Sequence, residues 1–123
     1  MEEQGTIVSP TLVMMRAIVD ARFGDQADAA FGTGLDNVRA MIEAGITVTA
    51  GTDANETPFA PVLHGPSLHD EIDYLIDAGM TTAEAIRAAT TSAAEAHGLG
   101  DRGRIVEGAR AEVWVVGVSK HRP

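Results

Sequence analysis

Cysteine is absent from the 123 residues, so disulfides and thiolate metal sites are excluded and the redox compartment stays open. Positive charge is scarce: nine basic residues stand against 18 acidic ones, the formal charge is −9, and no basic cluster interrupts it. Such a surface is a poor partner for nucleic acid or an anionic membrane. Long apolar runs are missing as well. None approaches the roughly 18 residues of a membrane span, and nothing near Met1 joins basic residues to an apolar run as a signal peptide would. A soluble, cytoplasmic protein is the expectation. There is no internal repeat and no low-complexity segment. What remains is 45% apolar residue types, enough for one modest core.

The chain is organised around Ala44 to Asn55. Leu35, Val38, Met41 and Ile42 share one helical face, and Gly45 after them suits the left-handed position that closes a helix. Ile46 to Ala50 is β-branched and uncharged, as a buried parallel strand would be. Asp53 then falls where such a strand ends. In α/β proteins side chains at strand ends point into a common crevice, which makes Asp53 a candidate for chemistry. The same position also suits a turn residue that merely stops the strand, and position alone does not separate the two.

Either side of this stretch the punctuation is readable. Thr6-Ile7-Val8 is an apolar run stopped by Ser9-Pro10, which reads as a strand end. Leu12 to Val19 has a helical pattern, whereas Asp20 to Gly34, rich in Ala, Gly and Asp, has no clear period and is expected to be a loop or a poorly defined helix. Glu56 to Pro66 holds Pro58, Pro61 and Pro66, together with Phe59 and His64, and suits an ordered lid or an ordinary connecting loop. Leu68, Ile72, Leu75 and Ile76 recur at helical spacing with Asp70, Glu71, Asp73 and Asp77 between them, so a surface helix with one buried stripe is expected up to Gly79. Thr81 and Glu84 form a capping-box pattern that starts a helix at Thr82, and Ser92 with Glu95 repeats it for a short helix closed by Gly98. Arg104-Ile105-Val106, the turn Glu107-Gly108 and the run Ala111 to Val118 read as a β-hairpin.

Taken in order, Gly51-Thr52-Asp53-Ala54, His64-Gly65, Ser67-Leu68-His69-Asp70-Glu71, Ala78-Gly79-Met80-Thr81, Glu84-Ala85-Ile86-Arg87-Ala88-Ala89-Thr90 and Gly98-Leu99-Gly100-Asp101-Arg102-Gly103-Arg104-Ile105 resemble the amidohydrolase superfamily. The likeness is nearest to its imidazolonepropionase-like and Xaa-Pro dipeptidase-like (prolidase-like) members. It spans about two thirds of the chain, from Leu35 to Val116. A complete eight-stranded barrel needs about 250 residues, so the resemblance implies an α/β partial TIM barrel. Residues 1–100 would be its last two βα units, with Ser9-Pro10-Thr11-Leu12 at the end of the seventh strand, and residues 101–123 the return strands of a small β-sandwich. Ala111-Glu112 stands where the family usually has Ala-Asp.

The resemblance also implies a chemistry. In the family an aspartate at the end of the eighth strand works beside one or two divalent metals, most often zinc, touching metal or accepting the proton of the attacking water; Asp53 matches that position. His64 matches the family's His-Gly and would border the substrate, and Asn55, where relatives often carry glycine, belongs to the same substrate-side loop. The family's other ligands are a His-x-His pair, a lysine or carboxylate, and two further histidines. This sequence has no His-x-His, its only lysine is Lys120, and the matching positions would lie before Met1. One carboxylate cannot hold a catalytic zinc, which takes three protein ligands. His64 and His69, with Asp53, Glu56 or Asp70, would suffice by number, but their spacing is not the i, i+4 that places two ligands on one helical face, and both are expected to be solvated. The expectation is a metal-dependent hydrolase of C–N bonds in a small amide, cyclic amide or dipeptide, inactive on these residues alone and carrying no metal by itself. Unpaired apolar strand edges would make it a homo-oligomer. The alternative is a non-catalytic, self-associating domain derived from this fold.

Overall fold

Two short parallel strands carry the ends on which everything else is hung. In the computed structural model, which describes residues 5–112, β1 (Ile7–Val8) pairs with β2 (Thr47–Val48), with Ile7 opposite Thr47 and Val8 opposite Val48. The connection runs through α1 (Leu12–Phe23), a 3₁₀ turn (Gly24–Gln26) and α2 (Ala27–Glu43). After β2 come α3 (Ser67–Asp77), α4 (Thr82–Ala88) and α5 (Thr91–Ala96). Among the described residues no helix is long and apolar enough to cross a membrane.

The strands are shorter than the sequence suggests. Of Ile46 to Ala50 only Thr47 and Val48 are in the ladder, and Thr47 is exposed. The ends of the stretch are held by single bonds on opposite sides. Thr49 N–H donates to Val8 C=O at 2.8 Å, and Ala50 N–H to Ala88 C=O, the last residue of α4, at 3.1 Å.

Asp20 to Gly34, expected to be a loop or a poorly defined helix, is helical throughout, with a 3₁₀ turn at Gly24–Gln26. Its missing period has a reason: the residues that anchor it are Ala27, Phe31 and Gly34, of which only Phe31 is large. Phe31 meets Tyr74 of α3 edge to face, with ring centroids 4.9 Å apart, and carries the Arg16 guanidinium 5.3 Å from its own centroid. Gly34 is buried where α1 crosses α2. A Cβ there would fall on Met15 Sδ, so the absent side chain is what lets the two helices approach.

Three helices end in the same way. Ile46 N–H returns to Met41 C=O, Met80 N–H to Leu75 C=O and Leu99 N–H to Ala94 C=O, with Gly45, Gly79 and Gly98 at positive φ between. This is the Schellman closure, which satisfies carbonyls a helix leaves open. The helix starts differ more. The Thr81–Glu84 box is formed, but Ser92 and Glu95 lie inside α5, whose N-cap Thr90 makes no side-chain cap bond. The Thr91 hydroxyl is used instead to donate to Gly103 C=O at 2.7 Å. That bond draws the following segment onto α5, where a Cβ on Gly103 would lie 2.8 Å from Thr90 C=O.

The first arm of the expected hairpin is not a strand. Arg104 to Val106 is irregular, and Ile105 is 93% exposed. From Val113 onward the second arm lies outside the described residues. The core itself is built of Leu12, Val19, Phe31, Val38, Val48 and Leu75 with four alanines, Ala27, Ala78, Ala85 and Ala88.

Helix α3 departs most from its pattern. Its deepest stripe is not Leu68, Ile72, Leu75 and Ile76 but Ser67, Glu71, Leu75 and Ala78, all buried, while Leu68, Ile72 and Ile76 are half-buried. Glu71, expected on the polar face, has 0% exposure. The cause lies on α1. Thr11 precedes that helix in left-handed geometry (φ 48°, ψ 51°) and offers no side-chain cap, so the first free N–H groups need an acceptor from elsewhere. Glu71 Oε2 accepts from Val13 N–H at 2.8 Å.

Candidate functional site

The loops that follow β1 and β2 meet side by side. Ser9 to Thr11 forms one wall, and Gly51 sits against it so tightly that a Cβ would fall on Ser9 Oγ and lie 3.9 Å from Thr11 Cγ2. Two residues later Asp53 has φ 48°, a left-handed conformation rare outside glycine, though aspartate tolerates it better than most. Asn55 holds the turned peptide. Its Nδ2 donates to Asp53 C=O at 2.9 Å and lies 3.4 Å from Met14 Sδ on α1, while its Oδ1 accepts from both N–H and hydroxyl of Thr57. The two ends of the following loop then pair, Asn55 with Val62, as an isolated antiparallel bridge. Ala60 and Val62 are buried, whereas Phe59 and Leu63 stay exposed, so the proline-rich segment is an excursion rooted at its base.

An open cleft of about 390 Å³ lies between this loop and the start of α3. Gly51, Thr52 and Ala54 line one side; His64, Gly65 and Ser67 line the other. Ser67 is fixed by donating its hydroxyl to Leu63 C=O. Of the residues singled out from sequence, His64 is therefore brought to the cleft, and Asp53, exposed, lies between two of its lining residues. Asn55 is not part of that lining; its amide is engaged within its own loop. His69 lies exposed on the surface of α3.

A second cleft, about 260 Å³, lies between α1, Pro61 to Leu63 and α3, and gathers Arg16, Asp20, Asp70 and Tyr74. Arg16 is committed there, with ion pairs to Asp20 at 2.6 Å and Asp28 at 2.7 Å. Burial pushes the Tyr74 phenol above its ordinary value. Asp53, Asn55 and His64 do not line this cleft; of the residues weighed as metal ligands Asp70 alone does.

Glu71 is the residue that sequence reasoning missed. Burial pushes its carboxyl above the ordinary range, and the backbone N–H groups of Val13 and Leu12 pull the other way. Its Oε1 is the single buried side-chain oxygen or nitrogen among the described residues with no hydrogen-bond partner. The available signal was its register with Ser67, Leu75 and Ala78, an i, i+4, i+8, i+11 stripe of which only the last two members are apolar.

Among the described residues no three histidine, aspartate or glutamate side chains converge to hold a metal ion. The sequence model of the Amidohydrolase family matches residues 1–122. A search of curated proteins gives no match. The chain belongs to the amidohydrolase family.

Proposed function

We propose that this amidohydrolase-family chain supplies the aspartate corner of a site that hydrolyses a C–N bond in a cyclic amide, dipeptide or related small molecule, and that it does not turn substrate over alone. The finer likeness to imidazolonepropionase-like and prolidase-like members is part of this reading, as are the assignment of the β1–α1–α2–β2 unit to part of an eight-stranded barrel and of residues 101–123 to a small β-sandwich. The observation that supports it is that the neighbours of Asp53 on the strand-end loop, Thr52 and Ala54, line a cleft that His64 also lines.

The chemistry available to these residues is proton handling and orientation. An exposed carboxylate at a strand end can accept a proton from an attacking water and return it to a leaving nitrogen. His64, across the cleft, can hydrogen-bond the amide being cleaved. The family's divalent metal, zinc by preference, would polarise the amide and activate the water when bound. The residues present do not fit it. A catalytic zinc needs three protein ligands, and here Asp53 stands without a converging set among the described residues.

On this reading the further ligands come from outside the described residues. The test is elemental analysis of the purified chain paired with its mass in solution, followed by assay of the product of any longer reading frame that carries a His-x-His upstream. No bound metal in the short chain, with activity in the longer product that falls at least about a hundredfold on Asp53→Ala, supports the reading. About one equivalent of metal in the short chain, lost in Asp53→Ala, would show that it assembles a site alone and would overturn the second half of the proposal.

A second reading, a non-catalytic self-associating domain, is favoured by the two-stranded sheet and the 46% exposure of Ile7 on β1. Unpaired strand edges recruit another chain, and homo-oligomerisation is proposed under both readings. A monomeric, well-folded chain by sedimentation would remove it.

A further inference from the structure

We infer that Glu71 is a positioning residue for Asp53, acting through the segment from Ser9 to Met14 that enters α1 and the contacts this segment makes with the Asp53 loop. The inference rests on the reading of Asp53 as the chemical residue, but its geometry is independent of metal and substrate.

The path is short, and each link is a named contact. Glu71 Oε2 holds Val13 N–H at 2.8 Å, across 58 residues of sequence. The residue before the helix, Thr11, lies with Ser9 against Gly51, two residues ahead of Asp53. The residue after Val13, Met14, places its sulfur 3.4 Å from the Asn55 amide, and that amide donates to Asp53 C=O at 2.9 Å. Asp53 is thus flanked by contacts with the segment from Ser9 to Met14 that leads into α1, Ser9 and Thr11 before it and Met14 after it, and Glu71 is the side chain that holds the Val13 amide within that segment. Both residues of the segment and loop that carry unusual backbone, Thr11 and Asp53, sit at φ 48°. Left-handed geometry at a non-glycine residue persists only where the surroundings impose it. At Thr11 no side-chain cap bond supports it, whereas at Asp53 the carbonyl accepts from Asn55 two residues on, whose amide in turn lies against Met14 of α1.

The buried carboxylate is what such a role requires. A solvated acceptor on a long side chain would let the turn shift, whereas a carboxylate with 0% exposure has one position from which to reach Val13. Glu71 also lies one helical turn after Ser67, which lines the cleft beside His64. Both walls of the cleft therefore take their register from the same end of α3.

The experiment compares Glu71→Leu, which keeps the volume and removes the acceptor, with Glu71→Gln, which keeps an acceptor oxygen, by amide hydrogen exchange and nitrogen–proton correlation spectra of the full chain. In Glu71→Leu the amides of Gly51 to Asn55 are expected to shift and to exchange at least about tenfold faster, the scale set by losing one buried hydrogen bond. Glu71→Gln should restore most of their protection, and Ala27 to Phe31 should be unmoved in both. A folded Glu71→Leu variant in which Gly51 to Asn55 keep wild-type shifts and exchange would overturn the inference. So would changes spread evenly over the chain, which a merely structural role predicts. Should Glu71→Leu not fold, Glu71→Asp, with the carboxylate withdrawn by one methylene, takes its place with the same two readings. None of these needs metal or turnover, so a failed hydrolase reading and a failed positioning role are told apart.

Discussion

Helices α1 and α4 both begin after a threonine and both are capped by a glutamate, yet they are built by opposite means. At α4, Thr81 is extended (φ −68°, ψ 156°); it accepts Glu84 N–H through its hydroxyl, and Glu84 Oε2 accepts Thr81 N–H at 2.8 Å. Everything happens within four residues. At α1, Thr11 is left-handed and caps nothing, and the acceptor is Glu71, brought from another helix. A local cap forms wherever its helix forms. A remote cap forms only once α1 and α3 have docked, so it makes the helix start depend on the core.

Breaking the remote cap should cost most. Glu71→Ala removes an acceptor and leaves both a cavity and a buried N–H, and should lower stability by about 2–4 kcal/mol, read from urea unfolding. Thr81→Ala should cost about 1 kcal/mol by the same measurement, as loss of one exposed N-cap does. If the two losses proved equal, the contrast between the starts would be one of appearance only.

The two glutamates should also respond to pH with opposite sign. Burial raises the Glu71 carboxyl above its ordinary value of 4.5. Its protonated form is favoured by folding, so its contribution is fully present below the unfolded value and is lost as pH rises through the folded one. Hydrogen bonds from Thr81 lower the Glu84 carboxyl. Its contribution is present above the unfolded value and is lost as pH falls through the folded one. Thermal unfolding between pH 3 and 7, taken as roughly that window, should show wild type losing ground to Glu71→Gln as pH rises and to Glu84→Gln as pH falls. The smallest effect belongs to Ser92→Ala. Ser92 lies inside α5 and does not cap it, so its loss should stay within about 0.5 kcal/mol, whereas a full cap penalty would mean that α5 starts after Ser92 rather than after Thr90 in solution.

The contrast explains what was legible. The capping box at Thr81, the closures at Gly45, Gly79 and Gly98, and the break at Ser9-Pro10 were readable because each pairs groups within about five residues. The Ser92–Glu95 pattern misled because the same signal can sit inside a helix whose start is set by packing. The start of α2 at Ala27 was not readable, since its anchors are alanine, glycine and one phenylalanine whose partner ring is on α3. At the site, Asp53 could be marked from the strand before it, and His64 from a family likeness. That His64 lines one cleft with Thr52 and Ala54, the neighbours of Asp53, depended on how the loop from Asn55 to Val62 closes on itself.

By itself the sequence determined where helices stop, which strand ends carry Asp53 and Ser9, and the family to which the chain belongs. Those properties follow from backbone geometry and side chains acting on near neighbours. Tertiary structure alone decided that Glu71 is buried, that it caps a helix 58 residues away, and that Gly51 is pressed on Ser9. A charged residue in an amphipathic pattern is assigned to solvent because burial costs several kcal/mol per ion. Only the folded chain supplies the free N–H groups that reverse that assignment.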